Sequence, residues 1–197
     1  MENASRKTDT GILVDQSPAE IIGGRVVMMS PARTDHQRVA RNIARFFGNY
    51  LEGKTCEVFG DGALLYLSEE NQFIPDGMIV CDPGKIREDG VHGAPDLVVE
   101  ILSPSTASND RIHKKDIYGK CGVREYWIIS VRERSVEVYL PEGEQLVLKN
   151  VYTLYPAYLV RSMNEAEKTE LLVEDFRCSL FPDLPIPLER IFAQVET

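Results

Sequence analysis

Two carboxylates interrupt apolar, strand-like runs of this chain: Asp76 in Phe73-Ile74-Pro75-Asp76-Gly77-Met78-Ile79-Val80, and Glu100 in Asp96-Leu97-Val98-Val99-Glu100-Ile101-Leu102. A carboxylate taken out of water needs a cation, a hydrogen-bond donor or a bound proton. If the two strands are neighbours, both groups can converge on one hard cation. Mg²⁺ fits such a pair, with Mn²⁺ as a substitute, because it favours oxygen ligands and keeps several waters. The competing structural reading puts Asp76 in a turn made by Pro75 and Gly77, and Glu100 at an exposed strand end or beside an arginine. Either residue alone suits that reading. The two together, followed by a lysine-bearing helix, favour a site.

Lys114 shares a helix face with Ile117, Tyr118 and Cys121, whereas Lys115 points elsewhere by the repeat of ~3.6 residues. Lys114 is therefore expected to face inward and balance the two carboxylates, or else to lay its stem over the core and reach solvent. Asp96 competes with Glu100, but four residues of strand separate their Cα atoms by ~13 Å. Asp96 reads as polar chemistry at the mouth of the strand, and Tyr118 as a side chain that supports the cluster without holding metal. His36, near the start of the first helix, is placed to donate toward the cluster, or is a satisfied core histidine. His36, His92 and His113 have no metal-ligand spacing. Arg38, Arg41 and Arg45 form a basic stripe that reads as a solvated helix face or, alternatively, as phosphate contacts.

The elements that must position these groups follow from periodicity. Residues 21–29 read as a hairpin turning at Gly23-Gly24. A helix follows, with Thr34-Asp35-His36-Gln37 as a capping box and Val39, Ile43, Phe46 and Tyr50 as its packing stripe. Residues 56–59, 63–67 and 73–80 are expected as three adjacent strands, then a polar loop over 82–94. The run 96–102 has the near-continuous apolar character of a central strand covered on both faces. A helix over about 108–121 is expected to end at Gly122, with strands at 123–130, 135–140 and 145–148 after it. Residues 158–161 and 171–178 read as a further strand pair. Leu188, Ile191, Phe192 and Val195 form a helical stripe that packs on the sheet or makes a dimer contact.

A length of 197 residues suits one domain, here 18–197 after a loose arm over 1–17. Net charge −9 opposes sequence-independent coating of nucleic acid but not an enzyme with a local basic surface and a bound divalent ion. No secretory or membrane-spanning run is visible, so a cytoplasmic protein with no membrane partner is expected. Cys56, Cys81, Cys121 and Cys178 lie far apart without a C-x-x-C pair and read as core thiols rather than zinc ligands or disulfides.

Pro75-Asp76, Glu100-Ile-Leu-Ser103-Pro-Ser-Thr106, Asp110, Lys114, Tyr118 and Gly122-Val-Arg-Glu-Tyr126-Trp127-Ile-Ile together resemble a bacterial restriction-endonuclease-like family of the PD-(D/E)XK nuclease superfamily. The resemblance runs from the Glu20 hairpin to about Leu148, and residues 184–192 look like the family's closing segment. It implies an α/β fold with a central mixed β-sheet flanked by helices. It also implies Asp76 as the metal-binding aspartate and Glu100 as the acidic residue of the E-x-K element. Leu102 stands where that element's lysine is expected, so Lys114 must supply the ammonium from the next helix. The implied activity is Mg²⁺-dependent hydrolysis of phosphodiester bonds, DNA favoured. Asp76, Glu100 and the Ile101 carbonyl would hold the metal, and Lys114 would position or deprotonate water. A homodimer suits an enzyme that cuts two strands. The alternatives are a nuclease-fold binding or scaffold protein that no longer cleaves, and a hydrolase of a small nucleotide-like substrate.

Overall fold

The computed structural model describes residues 18–104 and 106–195, so the expected arm over 1–17 lies outside the described residues. The chain opens with the hairpin β1 (Ala19–Ile22) and β2 (Arg25–Met28). Gly23 and Gly24 both have positive φ, 56° and 75°. That is the turn geometry whose twist matches paired strands, and glycine adopts it without a Cβ clash.

Helix α1 (Thr34–Leu51) follows, but Arg33 occupies the capping position and no side chain caps the helix. The helix begins one residue earlier than the proposed box requires, so Thr34 already lies within it. Its buried face is Val39, Ala40, Asn42, Ile43, Phe47 and Leu51, with Phe46 and Tyr50 only partly covered. The packing stripe is thus rotated from the one centred on Phe46 and Tyr50.

Six strands make the central sheet, in the order β12-β11-β10-β9-β6-β3. They are β3 (Glu57–Gly60), β6 (Gly77–Val80), β9 (Leu97–Ile101), β10 (Glu125–Ser130), β11 (Ser135–Glu142) and β12 (Gln145–Thr153). Only β9 and β10 run parallel, and both are buried along their whole length, as the apolar character of residues 96–102 predicts. Four further strands, β4 (Leu65–Ser68), β5 (Asn71–Phe73), β7 (Ile86–Arg87) and β8 (Gly90–His92), join the first hairpin in a second sheet ordered β2-β1-β5-β4-β8-β7. The three strands expected to be adjacent are therefore divided between two sheets, and the run 73–80 is broken at Ile74-Pro75-Asp76. The loop over 82–94 also contributes two short strands. Proline has no N–H for a ladder, which is consistent with the chain leaving one sheet there and entering the other.

A π-helical turn at Asn109–Lys114 leads into α2 (Lys115–Cys121), which ends at Gly122 with φ 88°. Residues 157–171, expected in part as strand, instead form α3 (Ala157–Ser162) and α4 (Glu165–Leu171). The Asn164 side chain and Glu167 make a reciprocal capping box at the start of α4. The actual partner of β13 (Asp175–Cys178) is β14 (Phe181–Pro187), after which comes α5 (Leu188–Ile191).

Alternation along the central strands divides the core. Val99 and Ile101 pack with α1 and with Leu188, Ile191, Phe192 and Val195. The C-terminal stripe is thus interior, and the dimer-contact reading of it is not borne out. On the other face, Val98, Met78, Tyr126 and Ile128 pack with Tyr118, Leu65 and Phe73. Glu100 shares this second face with Val98 by the two-residue repeat.

Cys56 and Cys81 are joined by a disulfide, contrary to the reading of all four cysteines as thiols. Glu57 pairs with Val80, so one further step of the antiparallel register sets Cys56 opposite Cys81. Cys121 and Cys178 are free, and Cys121 is exposed. The bond closes a sequence separation of 25 residues. Reduction with dithiothreitol should lower unfolding free energy by about 2–4 kcal/mol in urea titrations, and Cys56→Ala should abolish that sensitivity. At Gly119 a Cβ would lie 2.6 Å from the Glu144 carbonyl oxygen, where α2 meets the β11–β12 turn. Gly119→Ala should therefore cost about 1–3 kcal/mol in the same titration; an unchanged midpoint would contradict this packing.

Candidate active site

Asp76 lies where the chain passes from β5 into β6. Gly77 pairs with Val99, so one step outward places Asp76 across from Glu100. The Asp76 Oδ2 accepts the Ile101 N–H at 2.6 Å, which fixes this carboxylate to the end of β9. From the first turn of α1, His36 brings Nε2 within 3.3 Å of the same oxygen. Burial alone would lower the His36 pKa, but the hydrogen bond and charge of Asp76 outweigh it and raise it. The Ile101 carbonyl adds to that upward shift, so it too faces the histidine. Asp61, in the turn after β3, is held above the usual carboxylate range by burial and by the charge of Asp76.

Glu100 is 3% exposed, and its Oε1 accepts from Lys114 Nζ at 3.1 Å and from the Tyr118 hydroxyl at 2.8 Å. The sequence expectation that Lys114 turns inward is met: the residue is 3% exposed. Its ammonium also donates to Glu20 Oε1 at 2.8 Å and lies 3.6 Å from Asp110 Oδ1. Glu20 accepts in addition from the Ile74 N–H at 2.9 Å, tying β1 to the segment that carries Asp76.

The sequence reading did not assign Glu20 or Asp110 a place in the site. Glu20 sits on a short hairpin between exposed Ala19 and half-buried Ile21, and nothing local marks it. Asp110 carried a signal: it precedes Lys114 by four residues, the spacing of side chains stacked on one helix face.

The cluster is short of positive charge. Glu20, Asp76, Glu100 and Asp110 are all buried, with Lys114 as the buried ammonium among them. Burial drives the Glu100 carboxyl well above its ordinary range; Lys114 opposes this, while Asp110, Asp76 and Glu20 add to it. Asp110 is raised as well, chiefly by burial. Desolvation would lower the Lys114 pKa, but Glu100, Glu20 and Asp110 more than reverse that, so the ammonium stays protonated. The His36 Nδ1 is buried without a hydrogen-bond partner, whereas the buried Asp110 carboxylate has the Lys114 ammonium at 3.6 Å and the Thr106 side chain beside it.

Asp96 lies at the far end of β9 from Glu100. Its carboxylate accepts from the Cys81 N–H at 2.8 Å and from Arg124 at 3.1 Å, in keeping with polar chemistry at the strand mouth. Arg38 pairs with Asp35 at 2.8 Å, Arg41 donates to Gln194 at 2.8 Å, and Arg45 is exposed. No helix among the described residues is long and apolar enough to cross a membrane. Among those residues no three His, Cys, Asp or Glu side chains converge as a ready metal cage.

Two uncharacterized proteins of Synechocystis sp. (strain ATCC 27184 / PCC 6803 / Kazusa) are similar to this chain. One, slr1290, is 28% identical over 133 residues, covering 66% of this chain and 70% of its own. The other, sll1609, is 27% identical over 131 residues, covering 64% and 74%. The fold is shared with a crystal structure from Anabaena variabilis ATCC 29413 described as a putative nuclease belonging to DUF820. The TM-score is 0.67 at 17% identity, over 90% of this chain and 91% of that one. Residues 14–173 match the profile of Uma2, described as "Putative restriction endonuclease", and the chain belongs to that family.

Proposed function

We propose that this chain is a metal-dependent endonuclease of the PD-(D/E)XK type, hydrolysing phosphodiester bonds of nucleic acid, with DNA the favoured substrate. The observation that supports this most is the surplus of buried carboxylates over cations where the two sheets meet. A buried pocket with more carboxylates than cations is stabilised by an added cation. Two carboxylates and a backbone carbonyl suit Mg²⁺, which takes few protein ligands and keeps its waters, so a three-side-chain cage is not required. Asp76, Glu100 and the Ile101 carbonyl would hold the ion. When bound, it supplies a water of lowered pKa and positive charge against the attacked phosphate.

The chain's own residues divide the remaining work. Lys114, held by Glu20 and Glu100, would place positive charge near the scissile phosphate and position the attacking water. Glu20 and Tyr118 hold Lys114 and Glu100 in place, and His36 orients Asp76. Arg38, Arg41 and Arg45 line α1 and would meet the flanking phosphates.

Asp76→Ala should eliminate cleavage of plasmid and oligonucleotide DNA, and should also abolish the rise in melting temperature that Mn²⁺ gives the wild type. If the wild type shows neither a metal shift nor cleavage, the chain is a nuclease-fold binding protein. In that case the contacts of Glu100 to Lys114 and Tyr118 are purely structural.

The Glu100 charge also gives a stability prediction. Its folded pKa lies above the unfolded one, so its contribution is greatest below the unfolded pKa and is lost as pH rises through the folded pKa. Glu100→Gln removes that loss and leaves Lys114 with Glu20 and Asp110. Without metal at pH 8 the variant should be more stable than the wild type by on the order of 1 kcal/mol, while failing to cleave. Denaturant titrations at pH 5 and pH 8 measure the difference, and a variant less stable at pH 8 would contradict the charge surplus.

A further inference from the structure

Two non-glycine residues have left-handed backbone among the described residues: Arg134, at φ 50°, and Gln194, at φ 65°. Both line one open cavity of about 670 Å³. Arg134 stands in the turn between β10 and β11, where glycine or asparagine adopts this conformation most readily. A non-glycine residue kept there against its backbone preference points to a use for its side chain.

The cavity has the chemistry of a ligand site. Arg161, from α3, lines it beside Arg134, and Glu189 is the acidic residue of the wall. Neither arginine has a carboxylate within ion-pair distance among the described residues, although the chain as a whole is acidic. The Arg134 Nε is shielded from solvent and makes no hydrogen bond. Its Nη2 reaches only the Val195 carbonyl oxygen, at 3.5 Å. The backbone carbonyl of Arg134 is held by the Leu154 N–H at 2.9 Å, so the guanidinium is presented from a fixed position. Leu154, Tyr155 and Phe192 give the cavity an apolar side.

Position relates the cavity to the carboxylate cluster. Ile101 pairs with Ile129, and the next residue, Ser130, pairs with Ser135, which directly follows Arg134. Two strand spacings, roughly 10 Å, therefore separate the Asp76-bound end of β9 from the start of β11. Helix α1 joins the two places from above: His36 contacts Asp76, and Arg41 donates to Gln194 at the cavity rim.

We infer that this cavity binds one nucleotide of a nucleic-acid strand that continues round this end of the sheet, from the face of Phe192 to the Asp76–Glu100 cluster. This deepens the nuclease reading and rests on it. Arg134 and Arg161 hold the phosphate, since the planar guanidinium fork can donate to two phosphate oxygens at once. The base lies against Tyr155 and the apolar side, which gives affinity without sequence preference.

The test is fluorescence polarisation with a labelled single-stranded oligonucleotide in EDTA, where no cleavage occurs. Arg134→Gly suits a glycine-favouring backbone, so the variant folds. It should weaken binding about tenfold or more, and Arg161→Gln should do the same. The same loss from Arg134→Gly is expected in an Asp76→Ala background. Cleavage by the wild type reports on the nuclease reading separately from this measurement. Equal affinity of Arg134→Gly and wild type overturns the inference while leaving the nuclease reading intact. No binding by the wild type overturns it too. Competition by polyglutamate as effective as that by unlabelled oligonucleotide overturns it in favour of a generic anion site.

Discussion

One ammonium group among buried carboxylates governs how this molecule is assembled. Glu20 comes from the first hairpin, Asp76 from the link between the two sheets, Glu100 from the central strand, and Asp110 from the π-helical turn. Each would be costly to bury alone. Lys114 reaches three of them directly, at 2.8 Å, 3.1 Å and 3.6 Å, so the second sheet, the central sheet and α2 can close on one another only when it is in place. The remaining negative charge is the basis of the proposed chemistry, because a junction neutralised completely by its own side chains would have no need of an added cation.

Glu125 shows what a buried carboxylate looks like when structure is its whole task. It lies on β10, fully buried, beside the strand that bears Glu100. Its oxygens accept from the Trp127 indole N–H at 2.6 Å and from the Ser179 backbone N–H at 2.7 Å, fastening β10 to the β13–β14 hairpin. Neutral donors satisfy it. The contrast with Glu100 separates a carboxylate satisfied by neutral donors from one that shares a single ammonium with other acids.

Asp76, Glu100 and Lys114 were legible in the sequence because each breaks a strong local pattern: an acid inside an apolar strand, or a lysine on an apolar helix face. The central strand, the Gly23-Gly24 turn and Gly122 were legible for the same reason. What escaped is non-local. The Cys56–Cys81 bond exists because β3 and β6 pair in one register, and a sequence separation of 25 conceals that. The division of β3 to β6 between two sheets depends on a crossing at Pro75 that periodicity cannot distinguish from a bend. Residues 157–171 were misread because two helices of six and seven residues are too short for a helical period to stand out from short strands.

The π-helical turn at Asn109–Lys114 sets how this stretch of the chain can change in length. Its wider winding stacks Asp110 beneath Lys114, and the chain returns to ordinary α geometry at Lys115. Each residue of an α-helix turns the chain by about 100°. Taking one residue out of the π turn lets the ladder close to that α winding, so a deletion between Asp110 and Lys114 would change how Asp110 faces the lysine while α2 keeps its own winding.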